Sequence, residues 1–277
     1  MHATDHDPLD IGALRAQLDL ATLPRLASVE IVDRIDSTNS ELLRRRTPAR
    51  GLAALFAEAQ DSGRGRHGRA WQSPPGGNLY GSVARCFEGD LARLSGLSIA
   101  VGIAAAEAMH ALGAHALRVK WPNDLVVVED DALRKLGGVL VEGGWQDGRA
   151  RAVIGIGLNV RMPDDAAARI DQPWTDLQRQ LGDARPSRNA LAAALLDALA
   201  ATLESFDRDG LAPLIPQFER LDALRGRTID ATDGATALHG IADGLHDDGA
   251  LRLRTAAGLH ALRTGEVSVR LHAPAQA

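Results

Sequence analysis

The run Gly63-Arg64-Gly65-Arg66-His67-Gly68-Arg69 combines backbone freedom with fixed positive charge. Its glycines let the main chain approach a ligand closely and take positive φ. Its arginines supply planar, permanently charged forks suited to phosphate oxygens. Gly63, Gly65 and Gly68 also fit the spacing of a dinucleotide fingerprint, but that motif needs a helix to open at its last glycine. Here Arg69-Ala70-Trp71-Gln72-Ser73-Pro74-Pro75-Gly76-Gly77 follows, which cannot continue as a helix, so a Rossmann loop is excluded. A solvated Arg/Gly linker that brushes RNA stays open on these seven residues alone.

Lys120-Trp121-Pro122-Asn123-Asp124 places a lysine at the end of an apolar strand, before a proline-set turn. Such an ammonium can neutralise a carboxylate or phosphate in a pocket, or it can be an edge lysine before an ordinary turn. In Asp36-Ser37-Thr38-Asn39, Thr38 and Glu41 have the spacing of a capping box, yet the same amides and hydroxyls can hold a polar ring ligand. Gly155 and Gly157, in Gly-Ile-Gly-Leu-Asn (155–159), either pack tightly in a strand or clear space for a flat ligand. Gly137-Gly138, after Arg134-Lys135-Leu136, repeats that ambiguity.

The elements that must position these residues are legible in outline. Strands are expected at 29–35, 52–59, 78–86, 117–121, 125–128, 136–142 and 152–160, with a short helix from Thr38 to Arg46. The glycine-, arginine- and proline-rich stretch 61–78 reads as a long loop, and long loops inside compact domains are usually functional. An apolar, alanine-rich helix is expected over 94–112. Leu191, Leu195, Leu199, Leu203 and Phe206 recur at helical spacing after a candidate N-cap at Ser187, and a further helix is expected over 214–224. Leu251 and Leu253 then alternate with Arg252 and Arg254, and Val267 and Val269 with Ser268 and Arg270. Frequent glycines punctuate this stretch, which reads as a small barrel of short strands beyond a boundary near residue 224.

Composition narrows the function. Acidic residues outnumber basic ones, 36 to 31, giving a net charge of −5, so a general nucleic-acid coat is a poor fit. The single cysteine, Cys86, forbids an intramolecular disulfide and suits a reducing cytosol. The N-terminus lacks the basic start and apolar run of a signal peptide, and the most apolar stretch, 97–117, is broken by Glu107, His110 and His115. A cytoplasmic protein that does not engage membranes is expected. There is no Gly-x-x-x-x-Gly-Lys loop, His-Glu-x-x-His pair or Gly-x-Ser-x-Gly elbow. His2 and His6 are the only histidines one helical turn apart, so no protein-held metal centre is expected.

The order of the segments says more than any one of them. Asp-Ser-Thr-Asn (36–39), Gln60, the arginine-glycine run (63–69), Lys-Trp-Pro-Asn-Asp-Leu (120–125), Arg-Lys-Leu-Gly-Gly (134–138) and Gly-Ile-Gly-Leu-Asn (155–159) together resemble the biotin protein ligases. Gly240-Ile241, Asp248-Gly249-Ala250-Leu251 and Gly265-Glu266-Val267-Ser268 extend the similarity to the C-terminal region. The resemblance implies an α+β fold: a class II synthetase-like mixed sheet with flanking helices, the biotin/lipoate ligase catalytic fold, plus a small C-terminal SH3-like β-barrel. Residues 1–28 are then an N-terminal extension, 29–224 the catalytic domain and 225–272 the barrel. The implied reaction joins biotin's carboxylate to the α-phosphate of ATP, with Mg2+ assisting. Biotin then passes from biotinyl-5′-AMP to a lysine of a biotin carboxyl carrier protein domain, as in acetyl-CoA carboxylase.

The same resemblance assigns roles. Lys120 and Arg66 are the expected catalytic cations, because two anions must meet where charge builds in the transition state. Ser37, Thr38, Asn39 and Gln60 are expected on biotin's ureido ring, with Gly63, Arg64, Gly65, Arg66, Lys120 and Gly138 around it. Gly155 and Gly157 are expected to leave room for the bicycle. Arg64, Arg66, Arg69, Trp71, Lys120 and Asn159 are expected on the nucleotide. Two departures matter. The residues before the first strand are too few for the winged-helix DNA-binding domain that some members carry, so a ligase that binds no DNA is expected. His67 stands where the family often has arginine, making one loop charge pH-dependent. A lipoate ligase of the same fold is the nearest alternative, and a non-enzymatic RNA-binding protein the alternative of another class. The latter needs stacking aromatics, and aromatic residues are only 3% of the chain. No pattern decides whether exposed strand edges support a homodimer.

Overall fold

The computed structural model describes residues 7–233, 236–263 and 268–272. His2, His6 and the Gly265-Glu266-Val267 segment lie outside them. In chain order the first sheet and its helices begin with α1 (Ile11–Arg15), β1 (Leu26–Ile35), α2 (Thr38–Arg44), β2 (Leu52–Gln60), β3 (Leu79–Phe87), α3 (Leu97–Ala111) and β4 (Leu117–Lys120). There follow β5 (Asp124–Glu129), β6 (Ala132–Gln146), β7 (Arg149–Leu158), α4 (Asp164–Ala167), α5 (Leu177–Leu181), α6 (Arg188–Asp209) and α7 (Ile215–Leu221). The strands form one mixed seven-stranded sheet of order β1-β2-β3-β7-β6-β5-β4. Only β1 and β2 pair in parallel, and α2 is the crossover that such pairing requires.

Alternation along β2 shows why the sheet needs cover on both faces. Leu52, Ala54 and Phe56 enter the main core with residues of α3 and α6, whereas Ala53 and Leu55 join Leu42 of α2, Ala84 and Val153 on the opposite face. Eleven of the fifteen residues of α3 are buried, as expected of a helix apolar on most sides. Helix α6 instead buries the leucine stripe read from the sequence, and Ser187 caps it by accepting from the Ala190 amide at 3.2 Å.

Two details of α2 differ from expectation. Its N-cap is Ser37, which accepts from the Ser40 amide at 3.4 Å, so Thr38 is already helical and the Thr38/Glu41 capping box does not form. Glu41 pairs instead with Arg44 and Arg45, and the helix ends at Arg44 because Arg45 turns extended. The first strand starts at Leu26, and α1 packs on α6 ahead of it.

The C-terminal strands β8 (Thr228–Asp233), β9 (Thr236–Leu245), β10 (Leu251–Thr255), β11 (Gly258–Leu262) and β12 (Ser268–Leu271) form an antiparallel sheet of order β11-β10-β9-β8-β12. Leu251 and Leu253 are buried on its inner face. Among the described residues its edge strands do not pair, so the sheet is open rather than closed. Trp121, fully buried, ties the two sheets together by donating its indole N–H to the Gly249 carbonyl at 2.9 Å.

Candidate active site

A cavity of about 1200 Å³ opens where the 61–78 loop crosses the ends of β2, β3, β6 and β7. Ser37, Thr38, Asn39, Gln60, Arg64, Gly65, Arg66, Arg69, Trp71, Lys120, Gly138, Gly155, Gly157 and Asn159 all line it. Gly63 is the exception among the expected residues. A Cβ there would lie 2.5 Å from the Trp71 carbonyl oxygen and 2.6 Å from the Ser73 hydroxyl, so this glycine lets the loop fold back on itself. That fold is a short hairpin: the Gly65 amide donates to the Arg69 carbonyl at 2.8 Å and the Trp71 amide to the Gly63 carbonyl at 2.9 Å.

One end of the cavity is a relay of polar side chains. Gln60 donates to the Ser73 hydroxyl at 2.9 Å and accepts from the Thr38 amide at 2.9 Å. The Thr38 and Ser82 hydroxyls are 2.7 Å apart, Ser82 donates to the Asn39 carbonyl oxygen at 2.7 Å, and Asn39 donates to Glu142 at 2.9 Å. Glu142 in turn accepts from Arg64 at 2.8 Å. Thr38, Asn39 and Ser82 are buried, so each would be costly if unpaired; the relay fixes their orientation without a ligand. Ser37 accepts from a backbone amide and keeps its own O–H to donate.

The glycines of β7 serve this arrangement differently from expectation. A Cβ on Gly155 would lie 2.5 Å from the Asn39 carbonyl oxygen, and one on Gly157 would lie 2.5 Å from the Trp71 ring. The space they clear is therefore filled by Asn39 and Trp71 themselves. Gly157→Ala is expected to push Trp71 off the sheet at an overpacking cost of about 1–3 kcal/mol. Chemical denaturation checks this; unchanged stability would show that Trp71 is not held there.

At the other end the cations gather. Arg66 is half-buried and donates to the Asn123 side-chain oxygen at 3.2 Å; burial pulls its guanidinium below the ordinary range, with Asp124 opposing and Arg69 reinforcing the shift. The Lys120 ammonium forms no hydrogen bond or ion pair among the described residues, and burial lowers its pKa from the usual lysine range. Asp124, its partner across the β4–β5 register, is drawn instead to Lys135 at 2.6 Å. Lys135 lies 5.4 Å from the Trp71 ring centre, a cation–π distance. Arg64 is engaged separately, paired with Glu142 at 2.8 Å. The Asn159 amide is spent on the Lys135 and Thr175 carbonyls, tying 172–176 to the cavity wall.

Sequence reasoning missed Ser82, Glu142 and Lys135 as site residues. Lys135 lies inside a motif already singled out, beside Gly137-Gly138, and that proximity was the available signal. Ser82 and Glu142 carried none, since a lone serine or glutamate in a strand is ordinary. Arg270 and His272, from the second sheet, also reach the cavity wall.

This fold and cavity define the biotin/lipoate ligase class. Residues 31–159 match the Biotin/lipoate A/B protein ligase family, and residues 226–270 match the Biotin protein ligase C terminal domain. The chain is 40% identical over 264 residues to the Bifunctional ligase/repressor BirA of Escherichia coli (strain K12), covering 95% of this chain and 80% of that protein. It is 34% identical to the Biotin--[acetyl-CoA-carboxylase] ligase of Paracoccus denitrificans, covering 84% of this chain and 97% of the relative. The fold is shared with the biotin protein ligase of Aquifex aeolicus in complex with biotin and ATP, at a TM-score of 0.74, 24% identity, and coverage of 89% and 100% of the two chains. The chain belongs to the biotin protein ligase family.

Proposed function

We propose that the chain activates biotin with ATP and transfers it to a lysine of a biotin carboxyl carrier protein, a reading supported by relatives named as biotin--[acetyl-CoA-carboxylase] ligases. The observation that carries this reading is one cavity holding a pre-ordered polar relay at one end and clustered cations at the other. In the first step a carboxylate oxygen of biotin bonds to the α-phosphorus of ATP, and the bond from that phosphorus to the pyrophosphate oxygen breaks. In the second, the carrier's ε-amine attacks the acyl carbon, AMP leaves, and the amine loses a proton.

The ureido ring has one carbonyl acceptor and two N–H donors. Ser37 and the second N–H of Gln60 supply donors, while the Thr38 and Asn39 oxygens keep lone pairs to accept. Lys120, Arg66 and Lys135 converge where carboxylate and α-phosphate must meet, and such fixed charge stabilises the transition state. Arg69 extends the positive surface toward the outer phosphates, and Trp71 offers a ring face to the nucleotide. Arg64 serves the biotin end through Glu142. The carboxylates on the cavity wall are few and Asp124 is engaged by Lys135, which fits Mg2+ arriving on the nucleotide's phosphates with its waters rather than in a protein cage.

We read 29–224 as the catalytic domain and 225–272 as the SH3-like barrel of the family, with its closing strands drawn from the edges of the C-terminal sheet. The net charge of −5 supports a ligase with no DNA-binding role, and the single cysteine fits a cytoplasmic one. Pyrophosphate release from ATP with biotin, lipoate or no acid tests the reading. Release with biotin alone, followed by a biotin-sized mass gain on a carrier domain, is expected; release with lipoate alone moves the chain to the sister activity, and release with neither acid overturns both.

Arg66 supplies a separate expectation. Losing one charge-assisted hydrogen bond to the adenylate costs about 1.5–3 kcal/mol. Arg66→Gly therefore releases biotinyl-5′-AMP about 10–100-fold faster. The leaked anhydride labels lysines on bystander proteins, which a streptavidin blot detects. Unchanged bystander labelling removes Arg66 as a phosphate clamp.

A further inference from the structure

On the outer face of the C-terminal sheet, three side chains given no role in the proposed ligase chemistry converge. Asp230 of β8 stands directly opposite His239 of β9, and His272 follows β12 on the other side of the same strand. The His239 Nδ1 is 2.8 Å from one oxygen of Asp230 and the His272 Nδ1 is 2.9 Å from the other. The two imidazole rings are 4.5 Å apart, and the potential ligand atoms all lie within 4.8 Å of one another. We propose that Asp230, His239 and His272 form a surface site for a divalent late transition-metal ion, Zn2+ in the first instance.

Three observations support a site rather than a chance cluster. Arg270 is the register partner of Asp230 and would be its ordinary cross-strand counter-ion, yet among the described residues it forms no ion pair with it. Both carboxylate oxygens go to imidazole nitrogens instead. The backbone holds the third ligand in place, because the His272 amide donates to the Thr228 carbonyl at 3.0 Å.

Donor chemistry selects the ion. Two imidazoles with one carboxylate suit Zn2+, Cu2+ or Ni2+ and not Mg2+ or Ca2+, which want oxygen ligands. Three protein ligands on an exposed face leave coordination positions open to water. Binding replaces the Nδ1 protons, so each imidazole would carry its remaining N–H at Nε2. Because one ligand follows β12, occupancy pins that strand to β8 and β9. His272 also lines the ligase cavity, so the ion stiffens part of that wall.

The test is titration of the chelator-treated full chain with Zn2+ by calorimetry, and with Co2+ by visible absorption as a ligand-field probe. One saturable equivalent is expected. In His239→Ala, and in Asp230→Asn, which preserves side-chain shape, affinity should fall about tenfold or more, the least that losing even an outer partner of a metal ligand costs. A His2→Ala/His6→Ala double variant should bind as wild type does. Absence of one-to-one binding, equal binding by His239→Ala and Asp230→Asn, or loss only in the His2/His6 variant each overturns the proposal. Circular dichroism of every variant separates loss of ligand from loss of fold.

Discussion

Lys120→Ala lowers biotinyl-5′-AMP formation by about 10²–10³-fold, the cost of removing one preorganised charge from a developing anion, and leaves thermal stability undiminished. The two outcomes belong together because of where the ammonium sits. It ends β4 inside the cavity, and its register partner Asp124 is taken by Lys135. A desolvated cation without an ion pair is a cost to the empty protein, visible in its lowered pKa. Deleting it relieves that cost, whereas deleting a structural ion pair would lower the melting temperature. When carboxylate and α-phosphate enter, the same ammonium faces two anions at once and its desolvation is repaid by the substrates. Lys135→Ala is the informative contrast. It uncovers Asp124 and removes the cation beside Trp71, so both rate and stability fall. Single-turnover pyrophosphate release at saturating biotin and ATP, alongside thermal melts, checks both. Normal turnover in Lys120→Ala transfers the role to Lys135 and Arg66.

The contrast between these two lysines marks how far the sequence could be read. Lys120 was legible because an apolar strand, a proline and an acidic turn announce a side chain emerging from a sheet end. Lys135 stood equally close to a glycine pair, but nothing local says that Asp124 prefers one lysine over the other; that depends on the β5–β6 register, which joins residues through a bulge. The glycines make the same point. Gly155 and Gly157 announced that a side chain was not tolerated, yet only the packed sheet shows that Asn39 and Trp71 occupy the space. Elements with strong periodicity, such as α6, were recovered together with the cap at Ser187. The cap of α2 slipped by one residue because Ser37 and Thr38 are chemically interchangeable there, and the choice falls to Gln60, which engages Thr38 from β2. Long-range polar pairing was the part hidden from sequence, since Ser82 and Glu142 acquire meaning only from their partners.

Arg188→Ala is expected to destabilise the fold by about 3–5 kcal/mol, the range for breaking a buried ion pair by removing one partner. Arg188 begins α6 with its side chain only 1% exposed. It donates to both Glu58 oxygens, at 2.7 and 2.9 Å, to the Asn78 carbonyl at 3.0 Å and to the Asp7 carbonyl at 2.8 Å. One guanidinium thus joins the leading helix residue, β2, the end of the 61–78 loop and the N-terminal segment. Glu58 also accepts from the Leu9 amide at 2.6 Å, so alanine at 188 leaves a mostly buried carboxylate with a single amide partner. Glu58→Gln in the Arg188→Met background removes that stranded charge and should recover part of the loss, which separates the ion pair from simple packing. The consequence reaches the site, because Glu58 lies two residues before Gln60 on the same strand and face, and Asn78 closes the arginine-glycine loop. At temperatures where Arg188→Ala stays folded, the affinity for biotin should therefore weaken along with stability. Urea denaturation with biotin calorimetry measures both, and full stability in Arg188→Ala would show that the N-terminal segment and the loop are held by apolar packing alone.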